Sequence, residues 1–439
     1  MKTTTFLTLL ATTVLSVRAE HAPENGVSEA PLAARLSLTA VTRAVLENNL
    51  AIREADNRWR AAQERVRQAT AWDDLKVSAD SEFKRFVNIP PNAFTDQAVT
   101  VEQSIPLTGK NLSRSRIAAA EALSVYEDVR RTQLDILAKA RAAYFRLANA
   151  YDQLAINQKN LTSLRQIADI SRSRYEAGTD SAANVLVAET EHSKMLETRR
   201  DLERALSDAQ SQLNALMNRD AFAPLGRPVG EPMPPMKLSV PTLRRLTLAQ
   251  RPEMQMAHAK IDAEKAKLQL AHRAWIPDPA ISIRGMRYNE AAQGVSELDA
   301  GVSFTVPWLN PRKYSAGVRE AQQNVGAAQH ALDREQTETF RLLRDQLEKI
   351  ETAHHHVELF QDKLVPQAQQ AFEANRFSYE SGKASFLDWI SAQRNVRDIE
   401  AMAREHLADY QVAVAELEAV VGADLYGSMW QQTAERNSK

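Results

Sequence analysis

The stretch RYEAGTDSAANVLVAE, Arg174 to Glu189, returns 204 residues later as SYESGKASFLDWISAQ, Ser378 to Gln393. Tyr175 aligns with Tyr379, Gly178 with Gly382, Ser181 with Ser385, Asn184 with Asp388, Leu186 with Ile390 and Ala188 with Ala392. Each copy carries a complete local logic. A glycine can take the left-handed conformation that ends a helix. A serine three residues on can cap the next helix. Asn184 or Asp388 then falls in that helix's first turn, where a carboxylate meets the positive end of the helix dipole. Each copy is expected to be a tight reversal between helices, with tips at about 175–186 and 379–390.

The flanks extend this reading. Ala140, Tyr144, Leu147, Tyr151 and Leu154 recur at intervals of 4, 3, 4 and 3, as do Leu202, Leu206, Ala209, Leu213 and Leu216. Leu343, Leu347, Ile350, Val357 and Leu364, then Leu407, Tyr410, Val414, Leu417 and Val421, follow similar spacing in the second half. This is coiled-coil patterning. It predicts long helices from roughly Gly109 to Tyr175 and from Arg312 to Tyr379. A helix of about 65 residues would reach roughly 100 Å.

Upstream of each long helix lies a pair of segments with period-two alternation: Leu75–Phe86 with Gln97–Leu107, and Pro279–Glu290 with Ser296–Trp308. Such alternation argues for strands with two unlike faces. Before each pair comes a helical candidate, Leu38–Ala71 in the first half and Thr242–Ala274 in the second. Arg251-Pro252 should split the second into two helices. Between the halves, Phe222 to Pro241 is too rich in proline for regular helix and reads as a linker. The expected organisation is a first repeat over 20–221, a linker over 222–241, a second repeat over 242–425 and an irregular tail over 426–439.

Composition narrows the function classes. The formal net charge of −1 gives no nucleic-acid footprint. The absence of cysteine excludes disulfides, thiolate metal sites and a cysteine nucleophile. Residues 1–19 combine Lys2, an apolar run from Phe6 to Val17 and small residues ending at Ala19, the pattern of a secretory signal peptide. Its removal would leave 53 basic against 56 acidic residues. No later stretch reads as a transmembrane helix. No G-x-S-x-G, P-loop or H-E-x-x-H signature is present. No enzyme activity and no cofactor are expected, so energy would come from a partner.

The ordered set of elements resembles the TolC-type outer-membrane efflux protein family over nearly the whole chain after residue 19. The carriers are the two turns, both strand pairs, and QSIPLTGKNLSRSRIAAAEA (Gln103–Ala122) against FTVPWLNPRKYSAGVREAQ (Phe304–Gln322). The resemblance implies a mainly α fold with a small β part. Antiparallel helical hairpins would build a coiled-coil α-barrel. Four transmembrane β-strands per chain would complete a twelve-stranded barrel in a homotrimer. It also implies an outer-membrane location with a large periplasmic portion. The protein would be a passive exit duct partnered by a periplasmic adaptor and an inner-membrane pump, in the heavy-metal resistance branch or in drug efflux. Type I protein secretion is the alternative within the channel class. A periplasmic coiled-coil scaffold without a pore is the alternative outside it.

The resemblance also suggests site residues. Gly178, Ser181, Gly382 and Ser385 would form the adaptor-contacting tip. Asp388 and Tyr379 would stand at the periplasmic constriction, although a first-turn aspartate has the plainer reading of a dipole partner. Ser391 and Ala384 occupy places where the family pattern has an aspartate and an arginine, so the gate here departs from that pattern. Trp308 and Tyr288 near strand ends suit an interfacial aromatic belt or ordinary packing. His354-His355-His356 is tempting as a metal site, but consecutive helical residues diverge by about 100°. His354 is expected in the helical seam, with His355 and His356 outward. Met233, Met236, Met254 and Met256 are read as packing residues rather than soft-metal ligands.

Overall fold

The computed structural model describes residues 35–82, 96–230, 239–288, 295, 297–423 and 425. The expected signal peptide, Phe83 to Phe86, the linker core at 231–238 and the tail at 426–439 lie outside these residues, as does the side chain of Tyr288.

The chain opens with α1 (Leu38–Asn48) and α2 (Leu50–Thr70). A single helix was expected over Leu38–Ala71, and the break at Asn49 corrects that. Asn49 takes an extended conformation, φ −63° and ψ 127°, and its side chain accepts from the backbone N–H groups of Ala51 and Ile52. Its Nδ2 also donates to the carbonyl of Leu216 at 2.8 Å. A buried amide that satisfies three backbone groups outweighs one more turn of helix. In the second half, α5 (Val240–Gln250) and α6 (Pro252–Arg273) break at Arg251, as Pro252 predicts. Arg251 has φ −62° and ψ 123°, and it donates to the carbonyl of Val420 at 2.9 Å.

Strands β1 (Lys76–Glu82), β2 (Asp96–Ser104), β3 (Ala280–Tyr288) and β4 (Glu297–Ser303) form one antiparallel sheet in that order. The β2–β3 pairing joins the two halves, with Val101 opposite Ile283 and Thr100 opposite Arg284. Register sorts the side chains onto two faces. One row runs Val77, Val101, Ile283, Ala300, and the next runs Ala79, Val99, Gly285, Leu298. The opposite face carries the rows Lys76, Glu102, Ser282, Gly301 and Ser78, Thr100, Arg284, Asp299. The apolar face is open in the single chain: Val77 is 65% exposed, Ile283 52% and Leu298 72%. Within the described residues β1 and β4 each keep one unpaired edge.

Two helical hairpins hang from the sheet. The first is α3 (Lys110–Glu176), an unbroken 67 residues, returning as α4 (Ala182–Leu216). The second is α7 (Pro311–Leu359), a π-helical turn (Phe360–Leu364), α8 (Val365–Glu380) and the returning α9 (Phe386–Val421). The π-turn interrupts the continuous helix expected to Tyr379. Pro366 has no N–H for the carbonyl one turn back, so the hydrogen-bond ladder opens locally.

One core lies where the hairpins meet α1, α5 and the segment after α4. It gathers Tyr144, Leu147, Leu213, Ile350, Tyr410 and Leu417 around Val41 and Leu225. The described part of the expected linker is irregular yet tightly held. Its Pro228 bridges Leu36, and the Tyr144 hydroxyl donates to the carbonyls of Leu36 (3.1 Å) and Val229 (2.8 Å). Residues 222–230 thus act as a strap across α3. A second core, nearer the turns, joins Leu164 and Ile167 of α3, Ala188 of α4, Tyr379 of α8, and Trp389 and Ile390 of α9.

Gly422 ends α9 at φ +81°, where an added Cβ would stand 2.6 Å from the Arg251 Cα. Gly422→Ala should therefore cost about 2–5 kcal/mol, from left-handed strain plus overpacking. Circular-dichroism melting checks this against Gly178→Ala. Gly178 has a similar φ of +73° but nothing within 4 Å of the added atom, so its thermal midpoint should fall less.

Candidate functional site at the paired turns

The two turns close with the same hydrogen bonds. The N–H of Gly178 donates to the carbonyl of Tyr175 (2.9 Å) and that of Thr179 to Arg174 (2.9 Å). The N–H of Gly382 donates to Tyr379 (3.0 Å) and that of Lys383 to Ser378 (2.8 Å). Both glycines have positive φ, +73° and +75°. This is the left-handed helix ending the sequence predicts. Ser181 caps α4 by accepting from the N–H of Ala183, 3.1 Å. Ser385 caps α9 in a reciprocal box. Its Oγ accepts from the N–H of Asp388 (3.2 Å), and Asp388 accepts from the N–H (3.1 Å) and hydroxyl (2.7 Å) of Ser385. Those bonds, from the Ser385 hydroxyl first and its backbone next, hold the Asp388 carboxyl below its ordinary value.

The turns are locally alike but not equivalent. Tyr175 is 50% exposed, whereas Tyr379 is 4% exposed. Tyr379 stacks on Trp389, centroids 5.0 Å apart, and meets Phe386 edge-on at 6.0 Å. Its hydroxyl donates to Asp180 of the other turn. Arg174 reaches across too. Its guanidinium lies 4.7 Å from the Tyr379 ring centre and donates to the carbonyls of Tyr379 (3.0 Å) and Glu380 (3.1 Å). Asp180 also accepts from the N–H of Ser181 (2.7 Å) and the amide of Asn184 (2.5 Å). Burial opposes its ionisation. The hydrogen bonds from Tyr379, Ser181 and Asn184, with Arg174 near, outweigh that and keep the carboxyl below its usual 3.8. Burial and then Asp180 raise the Tyr379 phenol above its ordinary value.

A second clasp lies three helical turns up. Arg394 of α9 grips both oxygens of the buried Glu191 of α4, at 2.9 and 3.2 Å, and Lys194 adds a contact at 2.9 Å. Burial again opposes the charge, and the two cations lower the Glu191 pKa in spite of it.

The structure thus brings Tyr379 together with Asp180 and Arg174, two residues the sequence reading did not single out. It leaves Asp388 exposed in its capping box and keeps Gly178 and Gly382 open to solvent. A signal for Asp180 was present: the repeat puts Ala384 at its counterpart, and the two copies differ where the cross-link forms. Among the described residues no group of three or more His, Asp or Glu could hold a metal ion. Met254 is buried and Met256 half-buried, while Met233 and Met236 lie outside the described residues. His354 packs on Tyr410 as expected, but His356 does not face outward. It meets His406 of α9, which corrects that expectation. Trp308 is exposed in a short 3-10 turn after β4. No helix among the described residues is long and apolar enough to cross a membrane.

Comparison with known proteins gives this geometry a family. The model described as "Outer membrane efflux protein" matches residues 41–219 and 243–423. The toluene efflux pump outer membrane protein TtgF of Pseudomonas putida is 22% identical over 314 residues, 69% of this chain and 63% of the relative. The chain thus spans slightly under two thirds of that relative's length. The cobalt-zinc-cadmium resistance protein CzcC of Cupriavidus metallidurans is 21% identical over 305 residues, 68% of this chain and 70% of the relative. Among solved structures, CusC, described in connection with transmembrane channel formation, superposes with a TM-score of 0.76. It is 17% identical, with 88% of this chain and 92% of that chain covered, and this likeness bears on the fold alone. With both halves of the chain matched by its model, the protein belongs to the outer membrane efflux protein family.

Proposed function

We propose that the protein is the passive outer-membrane exit duct of a tripartite efflux system. The observation that carries this is the sheet: two unlike faces, the apolar one exposed, and two unpaired edges, continuous with helices about 100 Å long. Open edges are not tolerated in lipid, and barrels place apolar side chains outward and polar ones toward the lumen. Three copies, each pairing its β1 with a neighbour's β4, would close twelve strands. The α3–α4 and α7–α9 hairpins would then wall a periplasmic tunnel of six hairpins, which explains the use of an internal repeat. The relatives carry names as different as toluene efflux and cobalt-zinc-cadmium resistance, so the duct reading commits to no single substrate class.

Chain-to-chain closure is testable because the protein has no cysteine of its own. With Ser78→Cys on β1 and Asp299→Cys on β4, oxidation or a short bifunctional cross-linker should give covalent dimers and trimers in outer-membrane fractions. Monomers alone would remove the shared barrel and favour the pore-less scaffold.

At the other end, Gly178, Ser181, Gly382 and Ser385 form the surface offered to a periplasmic adaptor, and Asp388 lines the constriction. An Asp side chain at both glycines has room, and left-handed strain is worth about 1–2 kcal/mol per site. The Gly178→Asp/Gly382→Asp double variant should assemble in the membrane yet lose efflux. Loss of the assembly would instead make these glycines folding residues.

A further inference from the structure

The three consecutive histidines of α7 part company in the fold. His354 sits in the seam beside Tyr410, ring centres 5.6 Å apart, and His355 is exposed. His356 faces His406 of α9, with ring centres 4.7 Å apart. Phe360 lies against the same His406 ring at 4.7 Å. Phe360 is the first residue of the π-turn, and such turns recur at functional sites because the opened ladder re-aims side chains. The pair opens into a groove of about 540 Å³ between α7 and α9. Asp345, Glu348, Asp409 and Glu416 line that groove with Lys349, and three of the four carboxylates are ion-paired: Asp345 with Arg341, Glu348 with Arg344 and Glu416 with Lys349.

We propose that His356 and His406 form a binding site for a divalent transition-metal ion of the zinc–nickel–cobalt class. The spacing fits. A metal–nitrogen bond of about 2.0–2.1 Å places each imidazole centre roughly 3.2 Å from the ion, so two rings sharing it at cis angles stand about 4.5–5.2 Å apart. The observed 4.7 Å lies inside that range. Imidazole suits this class of metal better than calcium or magnesium, which prefer oxygen cages. With no cage of three protein ligands among the described residues, water completes the coordination and the ion exchanges readily.

The position adds meaning. Glu416 also lines the neighbouring groove between α3 and α4, together with Arg146. Arg146 stands about 200° around the helix from Tyr144, the residue that holds the strap. The histidine pair is therefore on the face of the helical layer away from the strap. Where that face would lie in a closed duct rests on the duct reading, whereas binding itself does not.

Calorimetric titration with ZnCl2 and NiCl2 tests the site, using untagged, chelator-stripped full-length protein in detergent. The expected result is one ion per chain. His356→Gln or His406→Gln, both at half-buried surface positions, should weaken binding on the order of tenfold or more, while His355→Gln leaves it unchanged. Absence of binding overturns the site. So does undiminished binding in either the His356 or the His406 variant, or an equal loss in the His355 variant. Binding by a protein that forms no channel would keep the site and remove the duct; conduction without binding would do the reverse.

Discussion

Replacing Ile283 by arginine should leave the chain unable to reach the outer membrane as a folded assembly. Ile283 sits mid-strand in the row Val77, Val101, Ile283, Ala300 on the exposed apolar face. An arginine on the lipid face of a barrel costs about 2–4 kcal/mol near the bilayer midplane, or roughly 6–12 kcal/mol over three copies. That is comparable with the whole stability of a typical domain. The control is Ser78→Arg, one residue along from Val77 and on the polar face. It should assemble normally. Fractionation and detergent-resistant gel mobility read both. If the two variants assembled equally well, the apolar face would not meet lipid and the barrel reading would fall.

Tyr379→Phe should loosen the periplasmic tip and raise the open fraction of the channel. The substitution leaves the ring stacked on Trp389 but removes the hydroxyl that Asp180 accepts from. A hydrogen bond to a charged group is worth about 1.5–3 kcal/mol, roughly a 10- to 150-fold shift in a two-state equilibrium. Tyr175→Phe is the matched control, because that side chain is half exposed at the counterpart position. The same link gives a pH dependence. The Asp180 pKa is lowered in the folded protein, so its contribution is complete above the ordinary value of 3.8 and is lost as pH falls through the lowered folded value. The tip should therefore stay linked through neutral pH and open in strong acid. Equal conductance for both tyrosine variants would assign the Asp180–Tyr379 bond to folding alone.

How much of this was legible in the sequence follows the range of each interaction. The Gly-x-x-Ser turns are local, and left-handed endings and serine caps form where read. The strands follow from period-two alternation, although β4 ends at Ser303 and the expected segment ran on to Trp308. The heptads gave the hairpins. Two breaks were missed for different reasons. Asn49 ends a helix because its amide finds Leu216, a contact 167 residues away that no local pattern announces. Pro366 was visible, but the heptad ran through it, so the π-turn was concealed by a period that holds on either side. The site residues divide in the same way. Tyr379 stood out through the repeat. Arg174 and His406 act through partners about 50 to 205 residues distant and were silent, while Asp180 left only its mismatch with Ala384 in the repeat. The repeat itself misled at one point by suggesting equal turns, where only one tyrosine is buried.

Single-channel recording in planar bilayers, using detergent-purified protein of verified mass, separates a duct from a scaffold. Trimers should insert and conduct, with openings that widen or lengthen on Tyr379→Phe and on substitution of Asp388. A protein that stays monomeric in aqueous buffer and never inserts would contradict the duct and leave a periplasmic helical scaffold in its place.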